Sequence, residues 1–243
     1  MELKYDLHIH SCISPCGDDS MTPAVAAGMA KLAGLGAAAL SDHNTARNCP
    51  AFLKAAEEYG ILGIPAMELT TAEEAHILCL LPSLEAAEEL DRYVYERLPK
   101  VQNRPEIFGN QYICDEDDNV LASEEKLLIA ATSVGVYDVA ALLRALGGVA
   151  VPAHIDRASF SVLSNLGFLR SDMGFEAVEV TRSANLRALH AEHAELRGLP
   201  YIINSDAHSP EEIRDAENSL TVKQLTAASV IEAIRCGCGL ARI

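Results

Sequence analysis

Residues of metal-ligating type recur along the chain in six short clusters. They are Asp6-Leu-His8-Ile-His10, Gly17-Asp18-Asp19, Ser41-Asp42-His43-Asn44, Glu68 with His76, Ala153-His154, and Asn204-Ser-Asp206-Ala-His208. Six of the eight histidines fall in these clusters. His8 and His10 stand at i and i+2 where an apolar strand ends. Period-two geometry sends both side chains to one face, a bidentate grip for a cation. His-x-His alone is a weak signal, and each later cluster strengthens it. His, Asp and Glu together suit zinc, manganese or iron. The clusters offer more ligands than one ion can use, and a carboxylate such as Glu68 or Asp206 can bridge two, so two to three divalent ions are expected. Such a centre lowers the pKa of a bound water and offsets the charge of a phosphoryl group. The chain has no Gly-x-Ser-x-Gly, Walker loop or GxGxxG to suggest a competing chemistry. Metal-assisted hydrolysis is the expected reaction.

Each cluster needs an element to deliver it. Leu3–His8 patterns as a strand ending on the first cluster. Thr22-Pro23 opens a helix over 23–33, with Thr as N-cap and Pro in the first turn. Residues 36–40 pattern as a buried strand delivering Asp42 and His43, and 50–59 as a helix stopped by Gly60. Strands over 61–67 and 75–81 carry Glu68 and His76. Strands over 149–153 and 201–204 deliver His154, Asp206 and His208. Further strands are expected at 177–180 and 220–222, and further helices at 84–98, 123–131, 136–146, 185–197 and 226–235. This alternation predicts one α/β domain over 1–243, with ligands at strand ends as a parallel barrel presents them. Only 84–135 breaks it, with a hairpin turning at Asp115–Asn119, and it is expected to be an insertion or subdomain on the barrel rim. His190 and His193 fall inside a helix and match no cluster.

A hydrophobic content of 49% is ample for a core, and no apolar run reaches membrane length. The first residues enter a strand without a signal peptide. A cytoplasmic protein with no membrane partner is expected. The net charge of −16 repels a polyphosphate backbone, so duplex nucleic acid is not expected as a partner. Bound cations would invert the local field and still admit a small phosphorylated substrate. Seven cysteines are a poor disulfide framework and are expected as free thiols. Cys12 and Cys16 flank the first cluster. The oligomeric state is left open.

The ordered set Asp-Leu-His-x-His-Ser, Ser-Asp-His-Asn, the Glu68 and His76 clusters, Ala-His and Ser-Asp-Ala-His resembles the PHP (polymerase and histidinol phosphatase) family over 3–222. The resemblance implies a distorted (β/α)7 barrel, a trinuclear metal centre and phosphoesterase activity on a small phosphate monoester or short nucleotide. It implies that His8, His10, Glu68 and Asp206 hold one ion. Glu68, His76 and His154 would hold a second, and Asp18, His43 and His208 a third. Where the family has Ser-Asp-Gly, this chain has the longer Ser-Pro-Cys-Gly-Asp-Asp, and counting back from Thr22-Pro23 favours Asp18 over Asp19. Glu68, Asp206, His43 and His208 are the residues expected to carry catalysis. Asp42 could orient His43. Arg157 and Arg182 follow barrel strands and could hold substrate phosphate bidentately. Two other readings compete: a metal-stabilised, non-catalytic scaffold, and a metal-dependent C–N hydrolase. Scaffold relatives lose ligands and none is visibly missing here. No lysine lies at a ligand-bearing strand end, as the amidohydrolase context would require.

Overall fold

The computed structural model describes residues 1–214 and 217–243. The first half runs β1 (Glu2–Ile9), α1 (Pro23–Leu32), β2 (Ala37–Leu40), α2 (Cys49–Tyr59), β3 (Leu62–Thr70), β4 (His76–Leu80), α3 (Leu84–Tyr95), α4 (Pro105–Phe108), β5 (Tyr112–Cys114) and β6 (Val120–Ser123). It continues with α5 (Val136–Ala145), β7 (Val149–Pro152), α6 (Val162–Leu166), β8 (Val178–Glu179), α7 (Leu186–Glu192), β9 (Tyr201–Ile202), β10 (Ser219–Thr221) and α8 (Ala227–Cys236). No helix among the described residues is long and apolar enough to cross a membrane.

Local chemistry sets the boundaries. Thr22 caps α1 by accepting from the Val25 N–H, with Pro23 in the first turn. Gly60 closes α2 at φ 68°, in the left-handed region that glycine tolerates. β2 is buried on both faces because it lies parallel between β1 and β3, hence its unbroken Ala-Ala-Ala-Leu.

The main sheet has six strands in the order β10-β1-β2-β3-β4-β7 and curls into a half-barrel, while β8 and β9 form a separate parallel pair. Side chains and short bridges join the pair to the sheet. Ile155 N–H donates to the Glu179 carbonyl at 2.9 Å, Leu7 N–H to Asn204 Oδ1 at 2.8 Å, and His10 N–H to the Ala207 carbonyl at 2.9 Å. The sheet departs from seven uniform β/α units. β4 is antiparallel to both β3 and β7. This reversal puts the first residue of β4, His76, at the same end of the sheet as the last residues of β1, β3 and β7.

The inner face changes character along its length. Leu3, Tyr5, Ile64, Ala66, Leu78, Leu80, Val149 and Val151 pack there against Val230, Ile231 and Ile234 of α8. The same face continues upward into ligand-type residues, from Ile64 and Ala66 to Glu68 along β3, and from Leu80 and Leu78 to His76 along β4. In β1 the register against β2 shifts by one residue between Asp6 and Ile9. Leu7 therefore packs inside, while Ile9 packs outward with α1 and α2. His8 and His10 take the inner face above Leu7, as a bulge re-aims a side chain.

Within 84–135, α3 packs into the core through Ala87, Leu90 and Val94. β5 and β6 form the expected hairpin. The expected helix over 123–131 is absent because its backbone is engaged elsewhere. Glu124 N–H donates to the Gln111 carbonyl, Leu127 N–H to the Val101 carbonyl, and Leu128 N–H to Gln111 Oε1. The expected helix over 185–197 stops at Glu192 and continues as a short turn over Ala194–Leu196. Cys236 and Cys238 are bonded to each other, contrary to the expectation of free thiols throughout.

Candidate metal centre

Glu68 is the hub of the inner face. Its carboxylate oxygens lie 3.3 Å from His8 Nε2, 3.4 Å from His10 Nε2, 3.0 Å from His43 Nδ1, 3.0 Å from His76 Nδ1 and 3.1 Å from His154 Nε2. Asp206 Oδ1 lies 3.3 Å from His8 Nε2 and 3.2 Å from His10 Nε2. His208 stacks on His10 with ring centroids 4.2 Å apart. Three groups each bring their ligand atoms within 4.8 Å of one another: His10, His43 and His208; His8, His10 and Glu68; and His43, Glu68 and His76.

Some of these contacts are hydrogen bonds, His76 Nδ1 and His154 Nε2 each pairing with Glu68. Others are close without being aimed at each other: His43 Nδ1 and Asp206 Oδ1 are buried and make no hydrogen bond, and the far ring nitrogens His76 Nε2 and His154 Nδ1 are likewise unpaired. Buried polar atoms are ordinarily paired. A cation is the partner that lets several such donor atoms share one point, so the residues present fit divalent metal.

The backbone around the centre is held in unusual conformations. Asn44, His154 and Asp206 have φ of 52°, 30° and 53°. Such non-glycine residues are uncommon and cluster at functional sites. For His154 the conformation turns the ring inward, where simple alternation along β7 would turn it out.

Outer contacts fix the rings. His8 Nδ1 sits 3.0 Å from Glu179 Oε2, leaving Nε2 toward the centre. The same carboxylate accepts from the His154 N–H at 3.0 Å and from Asn204 Nδ2 at 2.7 Å. Asp42 accepts from Ser11 N–H at 2.6 Å, Ser11 Oγ at 2.8 Å and Ser14 Oγ at 2.7 Å. Ser14 Oγ in turn lies 3.0 Å from His10 Nδ1. Asp42 thus steadies His10 through Ser14, rather than gripping the His43 ring.

The electrostatics follow from burial and crowding. Burial opposes charge on Glu68, yet His76, His8 and His43 hold its carboxyl well below the usual range. Burial likewise opposes a charged His8, yet Glu179, Asp206 and Glu68 raise it well above an ordinary imidazole. Burial, with His208 nearby, lowers His10 to about 4. Burial pushes Asp42 up to about 6 despite its serine donors.

The loop carboxylates stand apart from this hub. Asp18 is exposed and accepts from the Ser20 N–H at 2.8 Å, while its own N–H donates to the His208 carbonyl at 2.8 Å. Asp19 accepts from Asn110 Nδ2 at 2.8 Å. Arg157 reaches the centre directly, with Nη1 2.7 Å from Asp206 Oδ2. Arg182 lies 3.6 Å from Glu217 and lines, with Arg157, Arg214, Thr181 and Asn204, a cavity of about 300 Å³ that opens beside His154 and Asp206. Asp156 accepts from both the N–H and the hydroxyl of Thr181, clamping the Arg157 loop to the Arg182 loop. His190 lies in α7, and His193 pairs with Glu195 away from the centre.

Sequence reasoning missed Glu179, Ser14 and Arg214, and it named Asn204 in the last cluster without foreseeing its bond to Glu179. Glu179 had a readable signal, a lone acid between valines in a buried strand. Ser14 and Arg214 had none, since serines and arginines in loops are ordinary.

Fold and site together define an α/β protein with a cluster of histidines around a buried carboxylate, compatible with metal binding. The family model described as PHP domain matches residues 6–186, and the chain belongs to that family. Its members are metal-dependent hydrolases that include phosphoesterases and nucleases. No curated protein matches the chain. Among solved structures, the lesion-specific endonuclease Endonuclease Q from Pyrococcus furiosus is 22% identical with a TM-score of 0.69, over 100% of this chain and 58% of that one. Endonuclease Q in complex with a 27-mer duplex carrying an abasic lesion has a TM-score of 0.70 at 22% identity, with the same coverage. The chain thus spans under two thirds of those endonucleases. A protein described as a metal-dependent phosphoesterase from Bifidobacterium adolescentis is 19% identical with a TM-score of 0.57, over 96% of each chain.

The Endonuclease Q complex overturns the expectation against duplex nucleic acid, because a protein that shares this fold over 58% of its length is described in complex with a duplex. The physical error lies in using net charge. A sum over the whole chain does not set the field at the mouth, where Arg157, Arg182 and Arg214 stand beside Glu179, Asp206 and Glu212 in one cavity and a bound cation would add positive charge.

Proposed function

We propose that this chain is a metal-dependent phosphoesterase. The observation that carries the reading is the Glu68 carboxylate, held among five histidine nitrogens, with His43 Nδ1 beside it and Asp206 Oδ1 beside His8 and His10 left without hydrogen bonds. His8, His10, Glu68 and Asp206 would hold one ion, Glu68, His76 and His154 a second, and His43 and His208 a third, for which Asp18 would have to turn its exposed carboxylate from the Ser20 N–H toward the hub. Zinc, manganese and iron all suit these donors. Ions bound there would lower the pKa of an attacking water and offset phosphoryl charge. Arg157, already against Asp206, holds a non-bridging oxygen of the ester, and Arg182 a further one across the cavity. The cavity volume suits a small phosphate monoester or short nucleotide, and the fold's occurrence in Endonuclease Q adds a lesion-bearing duplex to the substrates worth testing.

The test is to load the protein with Mn²⁺, Fe²⁺ or Zn²⁺ and measure hydrolysis across phosphate monoesters, nucleoside bisphosphates, short oligonucleotides and a duplex with an abasic site. Two to three ions per chain and turnover of at least one substrate are expected, with His43→Ala and Asp206→Ala folded but inactive. A fully metal-loaded protein that turns over none of them would favour the scaffold reading.

A further inference from the structure

Phe160 violates two ordinary rules at once. It is a bulky aromatic at φ 56°, a region that such residues rarely enter. It is also 48% exposed. It sits on the loop after β7, three residues beyond Arg157. Its ring lies nearly flat on the His76 imidazole, with centroids 5.1 Å apart and planes 18° from parallel. Its carbonyl accepts from the His76 N–H at 2.9 Å, which ties this loop to the first residue of β4. One face of the phenyl ring therefore covers a residue of the metal centre, and its exposure belongs to the remainder of the ring. Leaving an apolar ring in water forfeits burial, and strained backbone persists only where the surroundings over-determine it. Both costs are met beside the reacting centre.

We propose that Phe160 is a specificity-determining residue, an aromatic platform on which a nucleobase of the substrate stacks. The proposal rests on the phosphoesterase reading and narrows it to nucleotide-bearing esters. A nucleobase is a planar ring set one sugar away from a phosphate, whereas an aliphatic phosphate ester offers nothing flat to a phenyl face. Phe160 stands outside the arginine-lined cavity, on the His76 side, so base and phosphate are gripped by different walls. Stacking of this kind tolerates any base, because every base has a π-face.

The test uses two probes, a thymidine dinucleotide and the same sugar-phosphate backbone lacking both bases. Each is titrated calorimetrically into the metal-loaded full chain, and product is followed in the same samples. The dinucleotide is expected to bind about tenfold or more tighter than the base-free probe. Phe160→Leu is expected to erase that preference without changing affinity for the base-free probe, and Phe160→Trp to keep it. Equal binding of the two probes to the wild type overturns the proposal. So does Phe160→Leu weakening both probes equally, since Phe160 would then only support His76. A binding preference without hydrolysis upholds the platform while counting against the phosphoesterase reading.

Discussion

Glu179 embraces His8 through both carboxylate oxygens, 3.1 and 3.0 Å from Nδ1, and both residues are buried. The bond fixes the ring so that Nε2 faces Glu68 and Asp206. A carboxylate behind a metal-binding imidazole also raises its basicity. Glu179→Gln keeps the shape and removes the charge. It is expected to weaken metal binding by about 10- to 100-fold while the fold survives. Competition with a fluorescent chelator measures this, and wild-type affinity in the variant would reduce Glu179 to a packing residue.

The same contact sets a pH dependence. Burial opposes the charge on His8, but Glu179, Asp206 and Glu68 raise its pKa well above 6.5. His10 is lowered to about 4, and His43 well below the ordinary value, chiefly by burial. Without metal, His8 therefore carries a proton at neutral pH and the other two do not. A ligating nitrogen cannot keep its proton, so loading expels about one proton per chain and affinity rises about tenfold per pH unit until the raised pKa is passed. For the metal-free chain the sign is opposite. The stability contributed by His8 is full below its unfolded value of 6.5 and is lost as pH rises through the folded one. Calorimetry in buffers of different ionisation heat counts the proton, and a count near zero would refute this picture.

Arg157 and Asp206 are 2.7 Å apart, and under the proposed function the guanidinium holds a phosphoryl oxygen beside that carboxylate. Arg157→Ala is expected to lower kcat/KM by about 10- to 100-fold, the usual worth of a charge-assisted hydrogen bond. Arg157→Lys should recover only part, because the planar fork is lost. Arg182→Ala should cost less, since Arg182 lines the cavity wall and pairs with Glu217 at 3.6 Å, where Arg157 pairs with Asp206 at the centre itself. Steady-state kinetics on any turned-over ester decides the order, and equal losses at both arginines would contradict it.

The ligand-type residues were legible because their chemistry is written in residue type and placed at strand ends. Their convergence was not. His76 joins the others only because β4 runs backward between β3 and β7, and strand direction leaves no mark on a short apolar run. His154 points inward only through its left-handed backbone, which a histidine does not announce. The helix expected over 123–131 failed for a related reason, since Gln111 captures the backbone of Glu124 and Leu128 from a distance in sequence. Reading partners from net charge failed most plainly, because a sum over the chain says nothing of how charges such as Arg157, Arg182, Arg214, Glu179, Asp206 and Glu212 are grouped around one cavity.

Asn48 joins the first cluster to the rim hairpin. Its amide donates to Ser11 Oγ and to the Tyr112 carbonyl, both at 3.0 Å, and its carbonyl accepts from the Cys114 N–H at 3.0 Å. Ser11 also donates to Asp42, whose serine partners steady His10. Asn48→Ala removes three hydrogen bonds to two segments, the loop after β1 and strand β5. It is expected to cost about 1–3 kcal/mol and to lower the thermal midpoint by roughly 2–4 °C per kcal/mol. The Cys114 amide should exchange faster with solvent deuterium than in the wild type, while amides of β3 keep their protection. The loosening should also reach His10 and lower metal affinity. Unchanged exchange at Cys114 would mean that the hairpin is held by its other contacts, and that the rim and the metal centre are mechanically independent.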